Sequence, residues 1–102
     1  MAEAIEETLK VRGNVHGDFV DSAYFKVGVE GLIRSTPNYY RMDPACRQAL
    51  FMIVEKMGRI LYGEPIFADH WHDISGYAKL VDDAITNGKI KPNKEVANDN
   101  NG

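Results

Sequence analysis

The sequence predicts an all-α fold, a small antiparallel helical bundle. Three observations predict it. Apolar residues recur at intervals of three and four along most of the chain, the pattern of helices with one buried face. No segment alternates apolar and polar residues as a half-buried strand does. The breaks between periodic segments carry helix-boundary signals at Asp18, at Asp43-Pro44 and at Asn87-Gly88. A short first helix is expected over residues 3–11, with Ile5 and Leu9 on one side, and Arg12 to Asp18 as a glycine-punctuated loop. The second helix, 19–34, is expected to take Asp18 as its cap, because that side chain can accept from a free first-turn amide. Val20, Tyr24, Val27, Gly28, Gly31 and Leu32 share one of its faces, and the two glycines suit close approach of another helix or of a ligand.

Ser35-Thr36-Pro37-Asn38 breaks the periodicity, and Tyr39-Tyr40 falls in the connection. Asp43-Pro44 opens the third helix, 44–62: a capping aspartate, then a proline where the missing N–H does no harm. Cys46, Leu50, Ile53, Val54, Met57, Ile60 and Leu61 form its broad apolar arc, which makes it the central helix. The fourth helix starts near Asp69 and stops at Asn87-Gly88, a left-handed C-terminal signal. Its apolar stripe is Ile74, Tyr77, Leu80, Val81, Ala84 and Ile85. Leu50, Val54, Met57, Tyr77 and Val81 are the expected shared core. Residues 1–88 are read as one domain and 89–102 as a disordered polar tail.

Composition narrows the function. Hydrophobic residues make up 44% and charged residues 26% of the chain, with a net charge of −3, so bulk electrostatics do not favour nucleic acid. No apolar run approaches the roughly 18–20 residues needed to span a bilayer. Glu3, Glu6 and Glu7 occupy the N-terminal segment, where a signal peptide would be basic and then apolar, so a cytoplasmic location is expected. The one cysteine, Cys46, lies on an apolar helix side and reads as an inert thiol. At 102 residues the chain is near the lower limit for an adequate core, and a homo-oligomer is expected to complete it.

Chemistry concentrates at Asp69-His70-Trp71-His72-Asp73. On a wheel of about 100° per residue, His70 falls in the middle of the fourth helix's apolar stripe and Asp73 on its edge. A buried imidazole or carboxylate is costly unless it is paired, hydrogen-bonded or bound to a ligand. Further carboxylates stand at Asp18 and Asp21, and at Glu55 beside Arg59; Asp18 and Asp69 also read as caps, and Glu55 with Arg59 as a surface i,i+4 pair. Asp73, Glu55, Asp21 and Asp69 are therefore the candidate ligands for Mg²⁺, which prefers oxygen donors. The absence of an H-x-x-x-H pair or a second cysteine argues against zinc. Lys56 and Arg59, one turn apart on the outer side of the third helix, and Arg12 are candidate phosphate neutralisers. His70, Trp71 and Tyr77 are candidate ligand contacts, the aromatics by stacking on a base; the alternative for all three is an ordinary core position.

Three elements, R-G-x-x-H-G-D-F at 12–19, E-K-x-G-R-I at 55–60 and H-W-H-D-I-S-G-Y-A-K-L at 70–80, resemble as a set a family of small phage and prophage proteins. More distantly the layout is similar to the MazG-like all-α nucleoside triphosphate pyrophosphohydrolases. That resemblance implies a MazG-like bundle, dimeric or tetrameric, in the host bacterial cytoplasm if phage-encoded. It also implies Mg²⁺ held by E-x-x-E on one helix and E-x-x-D on the next. Carried onto this chain, those motifs fall at Glu55-x-x-Gly58 and His70-x-x-Asp73, so only Glu55 and Asp73 match as acids. Three readings follow: an Mg²⁺-dependent nucleotide pyrophosphohydrolase, with Asp73 and Glu55 catalytic; a non-catalytic protein that sequesters a nucleotide-derived signal; and a small interaction protein whose buried polar residues fix helix register.

Overall fold

Helix boundaries follow local chemistry at most points. The computed structural model describes residues 2–91 and contains four α-helices: α1 (Ala2–His16), α2 (Phe19–Arg34), α3 (Pro44–Tyr62) and α4 (Ala68–Thr86), with a 3₁₀ turn at Tyr39–Arg41. Among the described residues there is no strand, and no helix is long and apolar enough to cross a membrane. The Asp18 carboxylate accepts from the Asp21 amide at 3.1 Å and starts α2. That of Asp43 accepts from the Ala45 amide at 2.8 Å, with Pro44 as the first helical residue of α3.

Three boundaries differ from the sequence expectation. α1 does not stop at residue 11 but runs to His16. A single mid-helix glycine costs only about 1 kcal/mol, and Gly13 is carried because the last turn of α1 has somewhere to dock. The break comes at Gly17, whose φ of +90° lies in the left-handed region. A Cβ at Gly17 would also stand 2.7 Å from the Tyr62 backbone carbon. At α4 the cap position belongs to Phe67, which makes no side-chain capping bond, and Asp69 falls in the first turn, where its charge suits the positive end of the helix. Beyond Gly88 the chain is not yet free: the amides of Lys89 and Ile90 both donate to the Ala84 carbonyl, at 2.8 and 3.1 Å, and Ile90 is half-buried. The tail expected from residue 89 thus begins later, and residues 92–102 lie outside the described residues.

α3 is the central element, as its broad apolar arc implied. α2 lies antiparallel along one side of it: Phe25 meets Tyr62, Lys26 meets Glu55 and Arg34 lies over Phe51. α4 lies antiparallel on the other side, with Lys56 against Asp73 and Ala45 sharing a groove with Ala84. α1 joins only through its C-terminal turns; Ala4 to Arg12 are all exposed, apart from which Val15 and His16 are half-buried. Tyr39, expected in a bare connection, is instead buried, edge-on to Tyr40 and capped by the Arg47 guanidinium 4.9 Å from its ring.

The core of this arrangement is thin. Val54 is 4% exposed, as expected of the shared core, but Leu50 and Met57 are each 38% exposed, and Tyr77 and Val81 are half-buried. The expected inward face of α2 is turned outward. Ser22, Lys26, Val29 and Ile33 face α3, while Val20, Tyr24, Val27 and Leu32 face away and are exposed. Both sides of α2 are apolar enough to pack, and Lys26, with a partner on α3, settles which one does.

Replacing Val54 with alanine removes buried methyls from the central helix and is expected to cost about 1–3 kcal/mol in chemical denaturation. Gly17→Ala is expected to cost about 2 kcal/mol or more, through the left-handed backbone and the clash with Tyr62 together. Both are read from denaturation midpoints at unchanged slope.

Candidate functional site

The α1–α2 junction meets the C-terminal end of α3 and leaves a pocket of about 420 Å³ between them. Arg12, Gly13 and His16 come from α1, Gly17 and Asp18 from the junction, Phe19, Ser22 and Lys26 from α2, and Glu55 and Arg59 from α3. Leu9 and Phe19, the latter 78% exposed, supply apolar surface at the rim. The start of α2 favours an anion, and the Asp18 carboxylate already supplies one there, accepting from the Asp21 amide.

The pocket wall depends on a close crossing of α2 and α3. Gly58 is buried, and a Cβ there would lie 3.2 Å from Cγ and Cδ of Lys26. The missing side chain lets the lysine stem lie across α3. Its ammonium then reaches Glu55 Oε2 at 2.6 Å, while Arg59 stands 3.7 Å from Oε1 of the same carboxylate. Gly58 is the position where the MazG-like motif would carry an acid. Here it is the seat of Lys26, and a larger residue would compete for the same space.

Behind the pocket lies a histidine pair. His70 is 1% exposed, consistent with its place in the middle of the α4 stripe. Its Nε2 lies 3.3 Å from the Val15 carbonyl and 3.4 Å from His16 Nδ1. A carbonyl only accepts, so His70 Nε2 carries the proton and His16 Nδ1 is a second, long acceptor. The His16 proton then sits on Nε2. The His16 pKa is held below its ordinary value, first by burial and then by the positive charge of Arg59 and its neighbours, so the ring is neutral at pH 7. Phe67 packs edge-on against both rings.

The candidate carboxylates are not brought together. Glu55 is held by Lys26 and Arg59. Asp73 lies on the α3–α4 seam, 3.0 Å from the Lys56 ammonium. The hydrogen bond from Lys56 holds the Asp73 carboxyl below its usual range. Asp21 and Asp69 are exposed on different helices. Among the described residues no group of three or more His, Cys, Asp or Glu side chains is placed to hold a metal ion. The donor set therefore does not fit the Mg²⁺ site that the resemblance implies.

Of the expected ligand contacts, Arg12 and Arg59 line the pocket and the others do not. Lys56 is not on the outer side of α3; it is buried and committed to Asp73. Trp71 is 55% exposed, and its indole N–H donates to the Pro65 carbonyl at 2.8 Å, which ties α4 to the preceding loop. Tyr77 borders an apolar groove between α3 and α4. Two further pocket residues, Lys26 and His16, carry no local signal in the sequence. The part of Lys26 depends on Gly58 across a helix crossing, and that of His16 on its contact with the buried His70. Cys46 is half-buried, with its thiol pKa pushed up by burial and then by Asp43, which keeps it protonated.

No family model, no curated protein and no solved structure matches the chain.

Lys56 and Asp73 yield a paired prediction. Asp73→Asn leaves a buried ammonium without its counter-charge and is expected to lower the melting temperature. Lys56→Met replaces that ammonium by an apolar chain of similar length and is expected to be neutral or stabilising. Because the folded Asp73 pKa is depressed, its contribution is present above the ordinary carboxyl range. It is lost as the pH falls through the lowered value, and the acid limb of a melting-temperature profile should show this for the wild type and not for the asparagine variant.

Proposed function

We propose that this protein binds a nucleotide or nucleotide-derived small molecule in the α1–α2–α3 pocket and does not turn it over. The observation that carries this reading is the convergence of Arg12, Lys26 and Arg59 with the neutral His16 at the start of α2. The guanidinium of Arg12 suits a phosphate, and Phe19 at the rim suits a base. A volume of about 420 Å³ falls within the usual range of small-molecule sites, roughly 300–1,000 Å³. Glu55 and Asp18 offset two of the three cationic charges, which favours a nucleoside monophosphate or a phosphodiester over a triphosphate. Sequestration of such a ligand, in a MazG-like bundle of phage type, is the biological role this reading supports. The pyrophosphohydrolase reading is weaker because each carboxylate it needs is committed to a cation or stands apart on its own helix.

Calorimetric titration with AMP, ATP and inorganic phosphate tests the proposal. AMP is expected to bind more tightly than ATP. Arg12→Ala, at an exposed position, is expected to weaken AMP binding about tenfold, equivalent to about 1.4 kcal/mol, with the melting temperature of the free protein unchanged. Chromatography after incubation with Mg²⁺ should recover the nucleotide intact. No binding by any of the three, or binding indifferent to Arg12→Ala, overturns the pocket assignment; nucleotide cleavage overturns the binding-only reading.

A further inference from the structure

We infer that the outer face of α2 is the docking surface for a second copy of this chain, packed antiparallel about a two-fold axis at Gly28. The inference does not depend on the ligand reading.

The inner side of α2 already packs on α3, yet Val20, Tyr24, Val27 and Leu32 on the other side are 57%, 79%, 66% and 70% exposed. Large apolar side chains exposed together along one helix side mark an interaction surface, and the described residues supply no second layer for them. The described residues hold only three buried hydrophobic side chains, Tyr39, Ala49 and Val54, so one copy is short of core.

The pattern on this face is self-complementary. Tyr24 and Leu32 stand four residues either side of Gly28. In an antiparallel pair centred there, each Tyr24 packs on Leu32 of the second copy, as an isologous interface requires. Cβ atoms built at Gly28 and Gly31 would meet nothing within 4 Å, so these glycines serve no contact among the described residues and leave the backbone open to a close crossing. The four apolar side chains present on the order of 500 Å² per copy, so about 1,000 Å² when paired, which reaches the minimum for a specific interface.

Sedimentation of the full-length protein at micromolar concentration tests this. The wild type is expected to sediment as two copies. Tyr24→Glu and Leu32→Lys are each expected to weaken association roughly 30-fold or more. The double variant Tyr24→Glu/Leu32→Lys is expected to restore it, because the new carboxylate and ammonium face each other across the interface, and mixing the two single variants is expected to do the same. Gly28→Gln improves helix propensity within the chain and blocks the crossing, so it is expected to yield a folded single copy by circular dichroism. A single-copy wild type overturns the inference. So does association that survives Gly28→Gln, or a folded double variant that fails to re-associate.

Discussion

The Val15 carbonyl is the point on which the arrangement turns. It accepts from the Glu64 amide at 2.9 Å and from His70 Nε2 at 3.3 Å, so one atom at the end of α1 ties the α3–α4 loop and the start of α4 together. The contact is possible only because the chain reverses at Gly17 with a backbone that other residues rarely adopt, closely packed against Tyr62. From this junction follow the position of His16, the burial of His70 and the entry of α2 onto α3. The pocket is the space left over where three helix ends cannot all close on one another.

Charge across the central helix is arranged in pairs, and the pairs limit what the protein can do. Lys26, Glu55 and Arg59 form one cluster, Lys56 and Asp73 another. Each carboxylate lies at a position suggestive of metal chemistry, and each is answered by a cation from α2 or α3. Buried ammonium groups need such counter-charges, because an unpaired ion away from water costs several kcal/mol. Gly58 makes the first cluster possible by leaving room for the Lys26 stem. Packing thus has an electrostatic result: a glycine on α3 lets a cation from α2 join the wall of the pocket.

A thin core and a helix with two apolar sides are one problem seen twice. α3 contacts α2, α4 and the end of α1, but among the described residues no helix covers the far side of α2. Leu50, Met57, Leu61 and Leu80 also remain partly or largely open. In a chain of this length the surface-to-volume ratio leaves little room for such exposure, and pairing through α2 would convert part of it into interior.

The sequence by itself determined the helices. Capping at Asp18 and Asp43, the proline at Pro44, the Asn87-Gly88 stop and the periodicity of α3 and α4 are local effects, set by neighbours a few residues apart. It also determined that α3 is central and that His70 faces inward, since both follow from which side of one helix is apolar. Tertiary structure decided the rest. Periodicity cannot say which of two apolar sides of α2 meets α3, and the answer came from Lys26, Gly58 and Glu55 at a crossing. It cannot place Lys56 inward, because a lone lysine on a wheel reads as solvated until Asp73 stands opposite. The helical turn of α1 past Gly13 and the pairing of His16 with His70 were equally out of reach, because each depends on a contact between residues about fifty positions apart, and such a contact exists only once the helices have packed.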